Sequence, residues 1–313
     1  MITLDDVNQA EVRIRPYVRK TPLIPARCMK DNPFPDGELF LKLECLQATG
    51  SFKARGAANK LLSLSEAEIR RGIVTASGGN HGLAVAYVGW LGKTKTTVFL
   101  PDNASPEKLK KIQHWGATVR IQGHQWHEAN REALAVAERE GLTYFHPFGD
   151  PVVIAGQGTT ALEILQQAPD VEEILVAIGG GGLISGISLA AKALRPSIRI
   201  IGIEPIGSPT LYESITAGRV VELQQITTCV PTMACAKTEP INFEIVRRYV
   251  DEIVLVSDDD MREAARWLWF EMGIATDLSG AATIAALQSG KVRPAKGRKV
   301  CALVCGAGPD GFV

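Results

Sequence analysis

Residues Glu172–Leu194 read EEILVAIGGGGLISGISLAAKAL, and this stretch decides the architecture of the chain. Ile174–Ile178 is a short apolar run stopped by glycine, which predicts a buried strand. From Leu183 onward, small and apolar residues predict a helix entered directly from the glycine turn. A strand feeding through a tight turn into a helix is half of a βαβ unit. The same alternation continues in both directions. GELFLKLE, GIVTAS, TKTTVFLP and ATVRIQG are strand-like before it, and IRIIGIEP, DEIVLVS and RKVCALVCG after it. HGLAVAYVGWLG (an amphipathic helix on this reading), SPEKLKKIQHWG, WHEANREALAVAEREG and GQGTTALEILQQ fall between strands as helices. DDDMREAARWLWFEMG opens with acids suited to a helix N-terminus and stops at Gly273. Such alternation predicts an α/β fold of open, twisted, parallel-rich sheets flanked by helices. Neither a repeat nor a composition shift marks a boundary. The turn-rich TYFHPFGDP is where the chain would pass from one lobe to another.

The chain has 313 residues, which suggests about two domains. Its 34 basic residues balance 34 acidic ones, so it lacks the positive excess that a nucleic-acid partner demands. No apolar run approaches membrane-spanning length, and acids precede any apolar stretch at the start, so neither a membrane span nor a secretory signal is expected. A cytoplasmic enzyme is the expectation. The 6 cysteines form no C-x-x-C pair, which argues against structural zinc and against a disulfide framework. They read as small buried hydrophobes, with Cys305 set apart below.

Three glycine-bearing turns carry candidate chemistry. Gly179, Gly180, Gly181 and Gly182 leave backbone amides bare at a helix start, where the dipole favours an anion such as phosphate. A plain strand-to-helix turn would need only one or two glycines. The dinucleotide fingerprint fails there because Ile184 and Ser185 stand where its last glycine belongs; Gly306, Gly308 and Gly311 match it formally, but with no helix to follow. Ser77-Gly78-Gly79-Asn80-His81-Gly82 offers a hydroxyl, a carboxamide, an imidazole and free amides in one turn. It suits a carboxylate ligand, or equally an ordinary capped helix start. Thr49-Gly50-Ser51-Phe52-Lys53-Ala54-Arg55-Gly56 sets a loop lysine beside an aromatic ring and between glycines. Lys53 is either a solvated charge or an amine in an apolar setting fit to form a Schiff base.

Taken in order, Ser51-Phe52-Lys53 with Arg55-Gly56, the Asn80-His81-Gly82 turn and the four-glycine loop resemble the serine/threonine dehydratases and serine racemase. These are fold type II enzymes that use pyridoxal 5'-phosphate. The resemblance runs from Thr21-Pro22 through Ala155-Gly156-Gln157-Gly158-Thr159 to the glycine-rich end. It implies a large domain, 1–71 with 150–313, a small inserted domain, 72–149, and the cofactor in the cleft between them. It also implies that Lys53 carries the cofactor as a Schiff base, with Phe52 packed beside it. Asn80 would bind the ring hydroxyl, Gly179 to Gly182 with Leu183 the phosphate, and Cys305 would face the ring nitrogen. A neutral thiol there makes the ring a weaker electron sink than a carboxylate would, which suits elimination better than transamination. The amino-acid substrate would be held by Ser77, Gly79, Asn80 and His81, with Lys53 as base at Cα and Ser77 assisting. A homodimer is the habit of that family.

Departures from the family's pattern sharpen the expectation. Gly78 stands where racemases carry a second serine, which disfavours racemisation. Glu204-Pro205 matches the start of the family's divalent metal site, but its second carboxylate falls at Thr210, which disfavours a divalent metal and leaves a monovalent ion or none as the expectation. Asp277-Leu278 replaces Glu-Pro, and Ala234-Cys235-Ala236 replaces Ala-Asp-Gly, leaving room for a β-hydroxy amino acid bulkier than serine, such as phenylserine or hydroxyaspartate. Trp126 and His127 read as structural. The expected reaction is therefore loss of water from a β-hydroxy amino acid, giving a 2-oxo acid and ammonia. β-Replacement of the cysteine-synthase type, racemisation and a silent amino-acid-binding regulator are the competing readings.

Overall fold

The computed structural model describes residues 2–102, 104, 106–124 and 126–312. Its strands are β1 (Leu23–Pro25), β2 (Glu38–Leu43), β3 (Ile73–Ala76), β4 (Thr96–Leu100), β5 (Thr118–Ile121), β6 (Thr143–Tyr144), β7 (Glu173–Ala177), β8 (Arg199–Pro205), β9 (Glu252–Val256) and β10 (Lys299–Val304). They form a six-stranded sheet in the order β1-β2-β10-β7-β8-β9 and a four-stranded sheet in the order β5-β4-β3-β6. Pairing is parallel throughout except for β1 against β2. Every residue of β3, β4 and β7 is buried, as strands covered on both faces require. β1 and β6, three and two residues long, escape the sequence pattern because edge strands this short show no periodicity.

Several elements differ from the sequence expectation for local reasons. The helix expected from Gly156 begins at Pro151 and runs to Gln167, because the Asp150 side chain accepts the N–H of Val152 and Val153 and Pro151 occupies the first turn. Asn80–Leu91 is buried around nearly its whole circumference instead of on one face, being wedged between β3, β4 and a helix at Lys53–Leu62. Of the helix read from Ser105, Pro106–His114 is seen, and Ser105 lies outside the described residues. Asp258–Met272 closes at Gly273, whose φ of 67° gives the left-handed end expected of it. No helix among the described residues is long and apolar enough to cross a membrane.

Two glycine contacts position the site. A methyl group built on Gly56 would lie 2.7 Å from a Val153 side-chain carbon and 2.5 Å from the Gln157 amide, and one on Gly156 would lie 2.7 Å from the Gly56 Cα. On the opposite side of the same helix, a methyl on Gly186 would lie 2.5 Å from the Gly158 nitrogen. Residues two apart are turned by about 200° around a helix. Pro151–Gln167 is thus clasped between Lys53–Leu62 and the glycine-loop helix Gly182–Leu194, with backbone nearly against backbone on both sides. The last strand, β10, pairs with both β2 and β7 and delivers Cys305 to the turn that carries Lys53. There the Phe52 N–H donates to the Cys305 carbonyl at 3.3 Å.

Candidate active site

Lys53 opens the helix Lys53–Leu62 and is not a loop residue, after a turn in which Thr49 and Gly50 take positive φ of 64° and 81°. Its Nζ donates to the Pro147 carbonyl at 2.7 Å and lies 5.1 Å from the centre of the Phe52 ring. Burial pushes its pKa down to about 8, and among the described residues no carboxylate pairs with it. Two residues on, Arg55 is the opposite case. It is buried, with Nη2 2.7 Å from Glu44 and Nη1 2.8 Å from Glu163, while Lys42 lies 2.6 Å from the same Glu163. Burial works against the charge of Arg55, but Glu44 and Glu163 outweigh it and raise its pKa. Removing one partner from such a cluster would cost about 3–5 kcal/mol, so the cluster clamps the helix that presents Lys53.

The four-glycine loop follows β7. Gly181 has a φ of 95°, and a methyl on Gly180 would lie 2.3 Å from the Phe148 ring. On Gly182 it would lie 2.8 Å from the Phe148 carbonyl, and on Gly179 2.8 Å from the Thr232 carbonyl. Among the described residues, the N–H groups of Gly179 to Ile184 meet no acceptor within the protein. The loop is pinned from outside: Thr238 donates to the Gly180 carbonyl at 3.0 Å, and Asn242 bridges the Phe148 carbonyl at 3.2 Å and the Ser185 hydroxyl at 3.1 Å. Neither Thr238 nor Asn242 is marked by any motif. Free amides with no side chain over them, at the start of a thirteen-residue helix, suit a phosphate group.

The second turn is more mixed. Gly79 caps the helix Asn80–Leu91 with backbone alone, and the Ser77 hydroxyl accepts its N–H at 3.3 Å. Asn80 donates through Nδ2 to Asp277 at 3.0 Å. The His81 imidazole is buried, with Nε2 3.0 Å from the Phe145 carbonyl, and burial pushes its pKa down to about 3. A side chain so placed leaves only its backbone to face a ligand. Trp126 donates its indole N–H to the Ala76 carbonyl at 2.9 Å, a support for the strand end before Ser77; His127 is exposed on the same helix.

Cys305 is buried, and burial first, then the nearby Asp277 carboxylate, drives its pKa well above the usual thiol range. Its Sγ stands 3.6 Å from the Ser279 hydroxyl. Glu204, far from Lys53 in role, is buried and accepts the N–H of Leu211 at 2.9 Å and of Tyr212 at 2.8 Å. Burial raises its pKa to about 8, and the Thr210 hydroxyl is committed to the Cys235 carbonyl. Glu204 thereby caps the helix Thr210–Ala217. Burial also pushes the Cys235 thiol up to about 11.

An unpaired lysine of lowered pKa, a phosphate-suited amide cradle and a neutral thiol, carried by two parallel-rich sheets, define a class of protein that runs amino-group chemistry on a phosphorylated aldehyde. The wider comparisons agree. The sequence pattern described as "Pyridoxal-phosphate dependent enzyme" matches residues 14–306. The chain is 38% identical over 310 residues to the L-threonine ammonia-lyase of Thermotoga maritima, covering 99% of this chain and 76% of that one. The structure of maize serine racemase superposes with a TM-score of 0.93 at 32% identity, covering 98% of this chain and 93% of that one. The processed threonine deaminase isoform 2 of Solanum lycopersicum gives 0.88 at 31%, covering 97% and 90%. The chain belongs to the pyridoxal-phosphate dependent enzymes, and the fold is their type II α/β arrangement.

Proposed function

We propose that this enzyme eliminates water from a small β-hydroxy amino acid of the serine or threonine type, releasing ammonia and a 2-oxo acid. The observation that carries the reading is Lys53: a buried amine with its pKa lowered to about 8, held by the Pro147 carbonyl. Pyridoxal phosphate supplies, when bound, an aldehyde that takes up amines and a ring that withdraws electrons from Cα. Lys53 would hold it, with Phe52 alongside, Gly179 to Gly182 and Leu183 offering amides to its phosphate, Asn80 beside its hydroxyl and Cys305 beside its ring nitrogen. The free amides of Asn80 and His81, with Gly79 and Ser77, receive the substrate carboxylate. Lys53 then takes the Cα proton at Nζ and returns it to the departing hydroxyl, one group serving as base and acid in turn. The neutral Cys305 offers no carboxylate to keep a proton on the ring nitrogen, which favours rapid loss of the β-substituent.

Relatives named for threonine ammonia-lyase and threonine deaminase support this substrate class. A structural relative is a serine racemase, but Gly78 has no proton-bearing side chain here. We further propose that the four-stranded sheet is the core of a small lobe, 72–149, inserted in a large one, 1–71 with 150–313. A homodimer in the cytoplasm, needing no divalent metal, completes the reading. The test is a panel of β-hydroxy amino acids scored for ammonia and 2-oxo acid. Serine or threonine should be turned over by wild type, and Lys53→Ala should lose both the visible lysine–cofactor band and all turnover. Product formed only from an acetylated serine plus a thiol would overturn elimination in favour of replacement.

A further inference from the structure

Residues 145–150 join β6 to the helix Pro151–Gln167, and they reach the candidate site at three points. The Phe145 carbonyl meets the His81 ring at 3.0 Å, the Pro147 carbonyl accepts the Lys53 amine at 2.7 Å, and the Phe148 ring packs against Gly180. His146 stands among them with no part in the proposed reaction. Its Nδ1 accepts the Gly149 N–H at 2.7 Å and the Phe148 N–H at 3.3 Å. A ring nitrogen that accepts carries no hydrogen, so the proton of the neutral imidazole is on Nε2. That nitrogen stands 3.5 Å from a Glu239 carboxylate oxygen. The His146 and Phe148 rings meet edge to face, with 4.8 Å between centres.

The surroundings suit a neutral ring in this one tautomer. A methyl group on Gly149 would lie 2.3 Å from Glu239 Cγ and 3.0 Å from His146 Cε1, so glycine lets the glutamate close over the turn. Glu239 lies between Thr238, which holds the Gly180 carbonyl at 3.0 Å, and the helix Pro240–Tyr249, whose Asn242 holds the Phe148 carbonyl at 3.2 Å. Glu239 and Asp150 favour a charged imidazole, and Asp150 is itself paired with Lys60 at 2.7 Å. Lys53 opposes the charge, the His81 imidazole is near, and the Tyr144 ring centre is 6.2 Å away. Burial outweighs the two carboxylates and holds the His146 pKa below the usual 6.5.

We propose that His146 is a positioning residue, whose unprotonated Nδ1 closes the turn that sets the Pro147 carbonyl on Lys53 and the Phe148 ring against the four-glycine loop. One imidazole thus governs both the amine and the anion cradle. Proton uptake at Nδ1 turns the acceptor into a donor facing two N–H groups, and both bonds are lost. The turn is therefore closed above the His146 titration, which lies below pH 6.5, and opens as pH falls through it. The inference rests on Lys53 and Gly179 to Gly182 holding the cofactor, as proposed above.

Two measurements test it. In apoprotein carrying isotope-labelled histidine, the nitrogen–proton correlation spectrum should show the His146 ring, identified by its loss in His146→Asn, as the Nε2–H tautomer. The Nδ1–H tautomer overturns the proposal with no appeal to the cofactor. The second measurement is the dissociation constant of pyridoxal phosphate against pH, read from the visible band. His146→Asn keeps an acceptor oxygen close to the place of Nδ1 and takes up no proton, whereas His146→Leu has no acceptor. At neutral pH, His146→Leu should bind the cofactor about tenfold more weakly than wild type, two backbone hydrogen bonds being lost, and His146→Asn should stay within about threefold. As pH falls from about 7.5 to about 5, wild type should lose about tenfold more affinity than His146→Asn. A merely structural ring would leave His146→Asn as weak as His146→Leu and give both the wild-type pH profile, and that result overturns the proposal. Should His146→Leu not fold, the tautomer and the pH profile of His146→Asn still decide. Lys53→Ala separates the two readings: a visible band that survives it refutes the placement of the cofactor, while the His146 turn is still judged by its tautomer.

Discussion

The two glycine turns that the proposed function sets around Lys53 use glycine for different ends. In Gly179–Gly182, a methyl group at any position would come within 2.8 Å of a neighbouring atom, Phe148, Thr232 or Leu211. In the other turn, a methyl on Gly78 would meet nothing closer than 3.4 Å and one on Gly79 nothing closer than 3.8 Å. The first loop lacks side chains because protein packs against it, so its amides form a fixed surface. The second leaves space open at Gly78 and Gly79, while Gly82 closes it against the Ser77 carbonyl, so the open part admits a ligand of variable size. Rigid holding of what stays and open accommodation of what is exchanged is the division that a resident cofactor and a passing substrate require.

That contrast can be broken at three points. Gly180→Ala should be the most damaging: displacing Phe148 costs about 1–3 kcal/mol, and the distorted cradle should lower cofactor affinity at least tenfold, read by titrating the apoprotein with pyridoxal phosphate. Lys53→Met tests the amine between the turns. Its pKa falls from 10.5 to about 8 on folding, so the folded chain binds the proton less well than the unfolded one. The cost is present in full below pH 8 and relieved as pH rises towards 10.5. The variant apoprotein should therefore be more stable than wild type at pH 7, by about 1–3 kcal/mol, with the gap closing between pH 8 and 10; a constant gap in chemical denaturation across that range would refute the assignment. Gly78→Ser should have the smallest effect on stability, within about 0.5 kcal/mol, because the space is there. It should add a hydroxyl facing Lys53 and with it measurable racemisation, followed by chiral chromatography of serine.

Much of this was readable from residues. Strand, glycine run and helix at 172–194 announced the α/β order, and Lys53 stood out by its neighbours. Physical reasons explain the rest. The burial of the His81 ring was not legible, because a residue type does not reveal which side of a helix its ring takes, and here the ring turns towards the Phe145 carbonyl. Pro147 acts on Lys53 through a backbone carbonyl, which every residue possesses. Asn242 and Thr238 reach the glycine loop from a distant part of the chain, so no local pattern marks them. Arg55 was noticed only as part of a motif; its meaning depends on Glu44 and Glu163, which fold together from three separate elements.

The clasp of Pro151–Gln167 between its two neighbours has one more consequence. Lys53 and the four-glycine loop open different helices, so the spacing of those helices is inherited from the thickness of what lies between them. Gly156 and Gly158 make that thickness the least a helix can have. A single added methyl there would push those two helices apart, and on the proposed function it should lower turnover from a place that takes no part in binding.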